Sequence, residues 1–366
     1  MTTIMLKILV AIFCFLLPLA VLCSWFERKV CALIQDRVGV NRAKIFKLNF
    51  GGLVSVALIN PIKTFLKKDF VPQNASKILH ALAPILMVLP AFMCIAVIPF
   101  GPPFTASGQE ITMQIVNLNV GLIYIFAMLS LAIYGIILAG WVSNNKYSLM
   151  GTLRAVAQII PYQVVLGISI ASLICVYGTL DLSKIIDAQD GVILNGFLPA
   201  WGIFLNPIAF LVFFTAAMAC TKYTPFDLSE GKSEILAGYL TEYTGVKLGL
   251  FRLGELATVI IVSSLLVILF FGGWSFPYGD ITVIPSDLWG LLPQSFNDTE
   301  FYWAPFAGAL IFVTKVIFIC VLQIVVHCTL PRFRYDQLMN LNCKILFSVS
   351  VLNLLITAGL VLEGLL

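Results

Sequence analysis

Charge is what this sequence has least of. Only 11% of its 366 residues are Asp, Glu, Lys or Arg, against about 25% in an ordinary soluble domain. Sixty per cent are hydrophobic, and the mean hydropathy is +1.01. A chain this apolar cannot cover a surface that faces water, so lipid must solvate most of it. A net charge of +4 with no basic, polar domain excludes a nucleic-acid partner. Histidine is scarce too: His80 and His327 are the whole complement, too few for a common transition-metal site. The nine cysteines include no C-x-x-C pair and no iron–sulfur spacing. They read as inert thiols in or beside apolar segments. There is no G-x-G-x-x-G, and Gly231-Lys232-Ser233 is not a phosphate-binding loop, because Phe226 stands where that motif needs glycine.

Long apolar runs are what the chain has instead. About 20 apolar residues cross a bilayer, and eight windows qualify, over about 4–26, 78–100, 118–142, 155–177, 201–221, 251–272, 306–326 and 343–362. The first contains Lys7 and Pro18 and runs into Glu27-Arg28-Lys29 rather than a small-residue cleavage site, so it reads as a retained helix. Segments 27–77, 142–154, 222–252 and 327–344 hold 19 of the 22 Lys and Arg, whereas 99–117, 177–200 and 272–305 hold only Lys184. The positive-inside rule puts the basic segments in the cytoplasm or its organellar equivalent, with both termini outside. The expected fold is an all-α integral membrane protein. It is one polytopic domain over 1–366, with eight transmembrane helices and long cytoplasmic-side loops.

The basic segments are where chemistry is expected. In 27–77, the apolar run Gly52–Ile59 is shorter than a span and leads into Pro61-Ile62-Lys63-Thr64-Phe65-Leu66-Lys67-Lys68. This predicts an amphipathic helix lying in the interface, which either anchors on anionic lipid or borders a lateral opening for a lipid-soluble substrate. In 222–252, Asp227, Glu230 and Glu234 are spaced by three and four, so a helix there sets them on one face. Like charges on one face share protons, which suits a proton path; a solvated acidic loop is the alternative. Glu255 and Lys315 lie in apolar windows, where a charge at mid-membrane costs at least about 2.5–3.5 kcal/mol. They are functional candidates, with pairing for packing alone as the alternative. Arg332, Arg334, Tyr335 and Asp336 fall between two windows. Such a cluster suits docking on another polar surface, or clamping a lipid phosphate.

A resemblance emerges at these residues. It rests on Glu27-Arg28-Lys29 with Arg37, Gly39 and Asn41-Arg42, and on Gly140-Trp141 with Ser143-Asn144-Asn145-Lys146-Tyr147-Ser148-Leu149. It continues through Leu153-Arg154-Ala155, Gln158, Pro225-Phe226-Asp227-Leu228, Glu234, Gly238-Tyr239, Glu242-Tyr243 and Leu250-Phe251. Phe271-Gly272-Gly273-Trp274, Leu330-Pro331-Arg332 and Arg334-Tyr335-Asp336-Gln337-Leu338-Met339 complete it. The chain resembles, over nearly its whole length, the respiratory complex I subunit called NADH dehydrogenase subunit 1 in mitochondria and NuoH in bacteria.

The resemblance implies eight helices whose inside loops form the membrane-side wall of a quinone chamber. Quinone is the substrate, and no metal, flavin or iron–sulfur cluster is bound by this chain. The implied partners are the peripheral-arm quinone-site and iron–sulfur subunits, neighbouring membrane-arm subunits and lipids, in a bacterial inner or mitochondrial inner membrane. By position, Arg28, Arg37, Asn60, Lys63, Phe226, Asp227 and Tyr239 belong to the chamber. Glu27, Gln163, Glu230, Glu234, Glu242, Glu255 and Lys315 belong to a proton path, and Arg42, Arg332, Arg334, Tyr335 and Asp336 to subunit docking.

The sequence also departs from the family pattern. Val40 replaces a Pro, Asn60 an Asp, Lys68, Lys232 and Gln163 each a Glu, and His327 an Arg. Asp to Asn or Glu to Gln keeps shape and hydrogen bonding but removes the titrating proton. Two other readings remain open. One is a homologous subunit of a membrane-bound hydrogenase. The other is a stand-alone secondary transporter, which predicts inverted repeats that the two halves do not display.

Overall fold

The computed structural model describes residues 7–8, 11–41, 52–73, 75–106, 109–193, 198–229, 231, 237–275 and 300–364. Its helices are α1 (Ala11–Ile34), α2 (Ser55–Leu66), α3 (Lys77–Ile95), α4 (Gly121–Val142), α5 (Lys146–Tyr177) and α6 (Leu182–Ala188). Then come α7 (Gly202–Leu205), α8 (Pro207–Cys220), α9 (Gly245–Phe270), α10 (Glu300–Thr329) and α11 (Tyr335–Leu362). Two antiparallel two-stranded hairpins, Phe104–Ala106 with Gln109–Ile111 and Val192–Ile193 with Leu198–Pro199, are the sheet structure among the described residues. The protein is all-α and integral to the membrane.

Seven helices, not eight, are long and apolar enough to cross a bilayer among the described residues: α1, α3, α4, α5, α9, α10 and α11. The window at 201–221 is divided. Asn206 leaves helical geometry (φ −141°, ψ 78°) and caps α8 by accepting from the Ala209 N–H at 3.0 Å. The 14 residues of α8 rise only about 21 Å, short of the roughly 30 Å hydrocarbon core. Asn206 also donates to Ser172 Oγ (3.4 Å), which accepts from Asn353 as well (3.3 Å), so α5, α8 and α11 share one buried polar knot. The 142–154 loop shrinks to 143–145, because Asn145 caps α5 through the Tyr147 N–H. The 327–344 segment shrinks likewise to 330–334.

The centre of the bundle is α9. Every residue from Val259 to Phe270 is buried, as expected of a helix that is apolar all round. It packs on α3 and α10; α3 packs on α4, α4 on α5, α5 on α8 and α11, and α10 on α1. At the α3–α4 crossing a Cβ on Gly135 falls 2.8 Å from Met87 N, so only glycine permits that approach. The segments 35–41, 143–145, 221–229, 237–244 and 330–334 gather at the basic end. The short apolar helix α2 has Leu58, Ile59, Ile62, Phe65 and Leu66 exposed and bridges α1 and α9.

Lys315 caps the opposite end. Its ammonium donates to the carbonyls of Phe271 (2.7 Å), Gly273 (3.0 Å) and Ser275 (2.7 Å) just past the C-terminus of α9. It sits 4.6 Å from the centre of the Trp201 ring. Those carbonyls lack partners within the helix, and the ammonium satisfies them. It lies some 16 residues along α9 from Glu255, about 24 Å.

Candidate functional site

At the basic end, the chain turns sharply after α8. Lys222 adopts a left-handed conformation (φ 59°), which places its side chain inward, 5% exposed. Gly238 opens the single 3-10 turn Gly238–Leu240 with φ 54°. A Cβ there falls 2.0 Å from the Ser229 carbonyl oxygen, and one on Gly151 falls 2.6 Å from Gly238 Cα. Two glycines thus let this turn lie directly on α5, and they drive Tyr239 fully into the interior.

Glu255, in the third turn of α9, is where these groups meet. Its Oε1 accepts from the Tyr239 hydroxyl (2.5 Å) and from Lys222 Nζ (3.3 Å), while Oε2 accepts from Arg252 Nη1 (2.9 Å). Lys222 also donates to the Tyr239 hydroxyl. Glu27 on α1 lies near enough to feel the charges of Arg252, Arg28 and Glu255. Burial first, and the charges of Glu27 and Glu255 after it, hold the Tyr223 phenol well above the ordinary value, so it stays protonated. Coupled carboxylates held by cations and a phenol can pass and store protons.

From Lys222 a cavity of about 40 Å³ extends into the bundle, lined by Thr221, Thr258 and Gln163 among apolar side chains such as Leu129 and Val262. It is roomy enough for about two waters. Gln163, about 25 Å along α5 from its basic end, accepts from Ser130 Oγ at 3.3 Å.

A second wall forms where 223–229 meets the end of α10. The Thr224 N–H donates to His327 Nδ1 (2.9 Å), and Phe333 N–H donates to the Pro225 carbonyl (3.1 Å). Asp227 pairs with Arg332 at 2.9 Å. Phe226 is buried edge-on between Tyr162 and Phe333, 5.7 Å from each, and its carbonyl accepts from Gln158 (2.6 Å).

The family model for NADH dehydrogenase matches residues 6–358. The H subunit of NADH-quinone oxidoreductase from Flavobacterium johnsoniae is 36% identical over 356 residues, covering 97% of this chain and 94% of the relative. The second H subunit of the same enzyme from Geobacter sulfurreducens is 40% identical over 346 residues, 94% and 93% of the two chains. The chain belongs to the NADH dehydrogenase family of NADH-quinone oxidoreductase H subunits. It is a membrane subunit of an enzyme complex of the complex I type.

Set in that family, the sequence-predicted residues divide into those the structure joins and those it does not. Tyr239 and Glu255 come together in the cluster, with Glu27 near enough to feel its charges. Arg28 faces Asn60 on α2, whose amide oxygen, turned toward it, accepts at 3.0 and 3.2 Å. Glu242 accepts from Asn145 Nδ2 (2.7 Å) and borders a separate open pocket of about 510 Å³ with Gln73, Ser143 and Lys146. Arg37 and Lys63 are exposed, Arg37 donating to Gln35 at 2.8 Å. Arg334 and Asp336 pair with each other at 3.2 Å, both well exposed, beside exposed Tyr335. Arg332 pairs with Asp227 and remains 43% exposed. Residues 221–229 form turns rather than helix, because Pro225 interrupts any helical ladder. Asp227 therefore lies in a turn and not on a helix; Glu230 and Glu234, with Arg42 and Lys232, lie outside the described residues.

Lys222 and Arg252 are the functional candidates that the sequence reading did not single out. The available signal was position: Lys222 ends an apolar window, and Arg252 stands one turn before Glu255. Among the described residues no group of three or more His, Cys, Asp or Glu is placed to hold a metal ion.

Proposed function

We propose that this subunit forms the membrane-side wall of a quinone chamber and couples quinone reduction to proton translocation through the Glu255 cluster. The observation that carries this reading is the Lys222–Tyr239–Glu255–Arg252 network beside Glu27, buried against a cavity that leads to Gln163. Arg28 with Asn60, Arg37, Lys63 and the Phe226–Asp227 turn make the chamber face. Reduction of a quinone to quinol takes up two electrons and two protons. Charge arising at the chamber face shifts the shared protons of Glu27 and Glu255, and Lys222 relays that change toward the interior. Glu230, Glu234 and Glu242 supply protons from the basic side. Gln163 carries no titrating proton, so water in the cavity and Lys222 take its place in the path.

In this reading the basic loops face the cytoplasm or matrix and both termini lie outside, with α7 and α8 together making the eighth crossing. Peripheral subunits bearing the quinone site and iron–sulfur chain dock near Arg334, Tyr335 and Asp336 and on the loop that carries Arg42. Other membrane-arm subunits and lipids cover the exposed apolar flanks. The test is proton pumping by the assembled complex in vesicles carrying Glu255→Gln or Glu230→Gln. Loss of pumping in assembled complex supports the reading. Normal assembly with full quinone reduction and full pumping in both variants refutes it.

A further inference from the structure

Helices α1 and α10 run parallel in a single register. Phe15 stacks on Phe312 with ring centres 6.2 Å apart. Eight residues on, Cys23 and Cys320 are both buried. Eight further on, Cys31 and Cys328 are joined as a disulfide with their Cα atoms 5.3 Å apart. The separation of 297 residues is common to all three rungs. The third rung corrects the expectation that all nine cysteines are inert thiols, while Cys23 and Cys320 stay free and buried.

The two pairs differ in access. Cys23 and Cys320 are 2% and 1% exposed, with no route for a reagent from water. Cys31 and Cys328 are half-buried at the basic end, about 12 Å further along the helices. Their bond ties two walls of the site. Cys31 lies one turn beyond Glu27 and Arg28, and Cys328 follows His327, which holds Thr224 and so the Phe226–Asp227 turn. In a reducing compartment a disulfide at such a place is a redox-responsive element rather than a fixed staple.

We propose that Cys31 and Cys328 are a reversible modification site, exchanging with low-molecular-weight thiols and disulfides of the glutathione class to join and release these two walls. In the forward direction one Cys thiolate attacks the small disulfide, forming a mixed disulfide and expelling one small thiolate. The second Cys thiolate then attacks the protein sulfur, closing Cys31–Cys328 and expelling the other. Two protein thiols and one small disulfide become one protein disulfide and two small thiols. The inference that the bond is reversible rests on the orientation proposed above.

The test uses the assembled complex in native membranes, opened with mild detergent and equilibrated at a series of reduced-to-oxidised glutathione ratios. Free thiols are blocked with N-ethylmaleimide; the remaining disulfides are reduced, tagged with a heavy maleimide and located by peptide mass spectrometry. Two tags per chain, on Cys31 and Cys328, appear in oxidising buffer and vanish in reducing buffer, reversibly. Cys23→Ser leaves that pattern unchanged, and Cys328→Ser abolishes it. NADH:quinone turnover changes at least twofold between the two states in the native chain and not in Cys328→Ser. Thiols that never pair, a bond that survives excess dithiothreitol in the folded complex, or equal turnover in both states overturns the proposal. An impermeant maleimide on sealed vesicles of known sidedness scores the orientation separately, so failure of that reading is distinguishable from failure of the thiol pair.

Discussion

Lys222→Met removes the cation from the cluster while keeping an unbranched side chain of similar reach. At 3.3 Å from Glu255, an effective dielectric near 20 gives a gross attraction of about 5 kcal/mol. Dehydrating a lysine and a glutamate that are 5% and 11% exposed offsets most of it, so the net worth of the pair is small. Breaking the pair from one side is different. It strands a buried charge, at a typical cost of about 3–5 kcal/mol. Tyr239 and Arg252 still hold both carboxylate oxygens, so about 3 kcal/mol is expected. Glu255→Gln strands Lys222 at a similar cost. The double variant removes both charges and keeps the shape, so it recovers at least about 2 kcal/mol relative to the sum of the single variants. Denaturant-dependent dissociation of the solubilised complex, followed for all four corners of the cycle, measures this. Single-variant costs that add to within about 0.5 kcal/mol refute the argument, because the two groups then do not depend on one another.

Lys315→Met strips three carbonyls at the end of α9 of charged hydrogen bonds worth about 1.5–3 kcal/mol each. Native gels should display poor assembly, with protons pumped per electron unchanged in whatever assembles; a changed ratio returns Lys315 to the proton path. Gly238→Ala forces a Cβ into the Ser229 carbonyl at a left-handed position, where a non-glycine residue already costs about 1–2 kcal/mol. Its thermal stability should fall well below that of Gly359→Ala, where a Cβ meets nothing. Asp227→Ala breaks a pair in which Arg332 is 43% and Asp227 only 14% exposed, so the cost lies above the roughly 1 kcal/mol of a surface pair and below the about 3–5 kcal/mol of a buried one. The KM for quinone should rise at least fivefold besides; an unmoved KM makes the pair a brace only.

The apolar runs made the long helices readable, because a twenty-residue span is a local property of the chain. Asn206 escaped notice because one amide scarcely lowers the hydropathy of its window, and the partners that accommodate it, Ser172 and Asn353, are far away in sequence. Glu255, Tyr239 and Glu27 were legible for the opposite reason: Glu255 stands out in an apolar run, and the other two sit in recognisable stretches. Lys222 did not stand out among other basic residues at a helix end, since its burial depends on the left-handed turn and on the Gly151–Gly238 contact. The partners of Lys315 were not legible, because backbone carbonyls leave no trace in side-chain composition. The Cys31–Cys328 pairing depends on how α1 docks on α10, and no spacing within either helix records that.

The most direct test of the central claim is a structure of the assembled complex with a quinone-site inhibitor bound. The account predicts an inhibitor headgroup against Arg28 and the Phe226–Asp227 turn, on the same face as the Tyr239–Glu255 cluster. An inhibitor held entirely by other subunits, touching none of these residues, contradicts it.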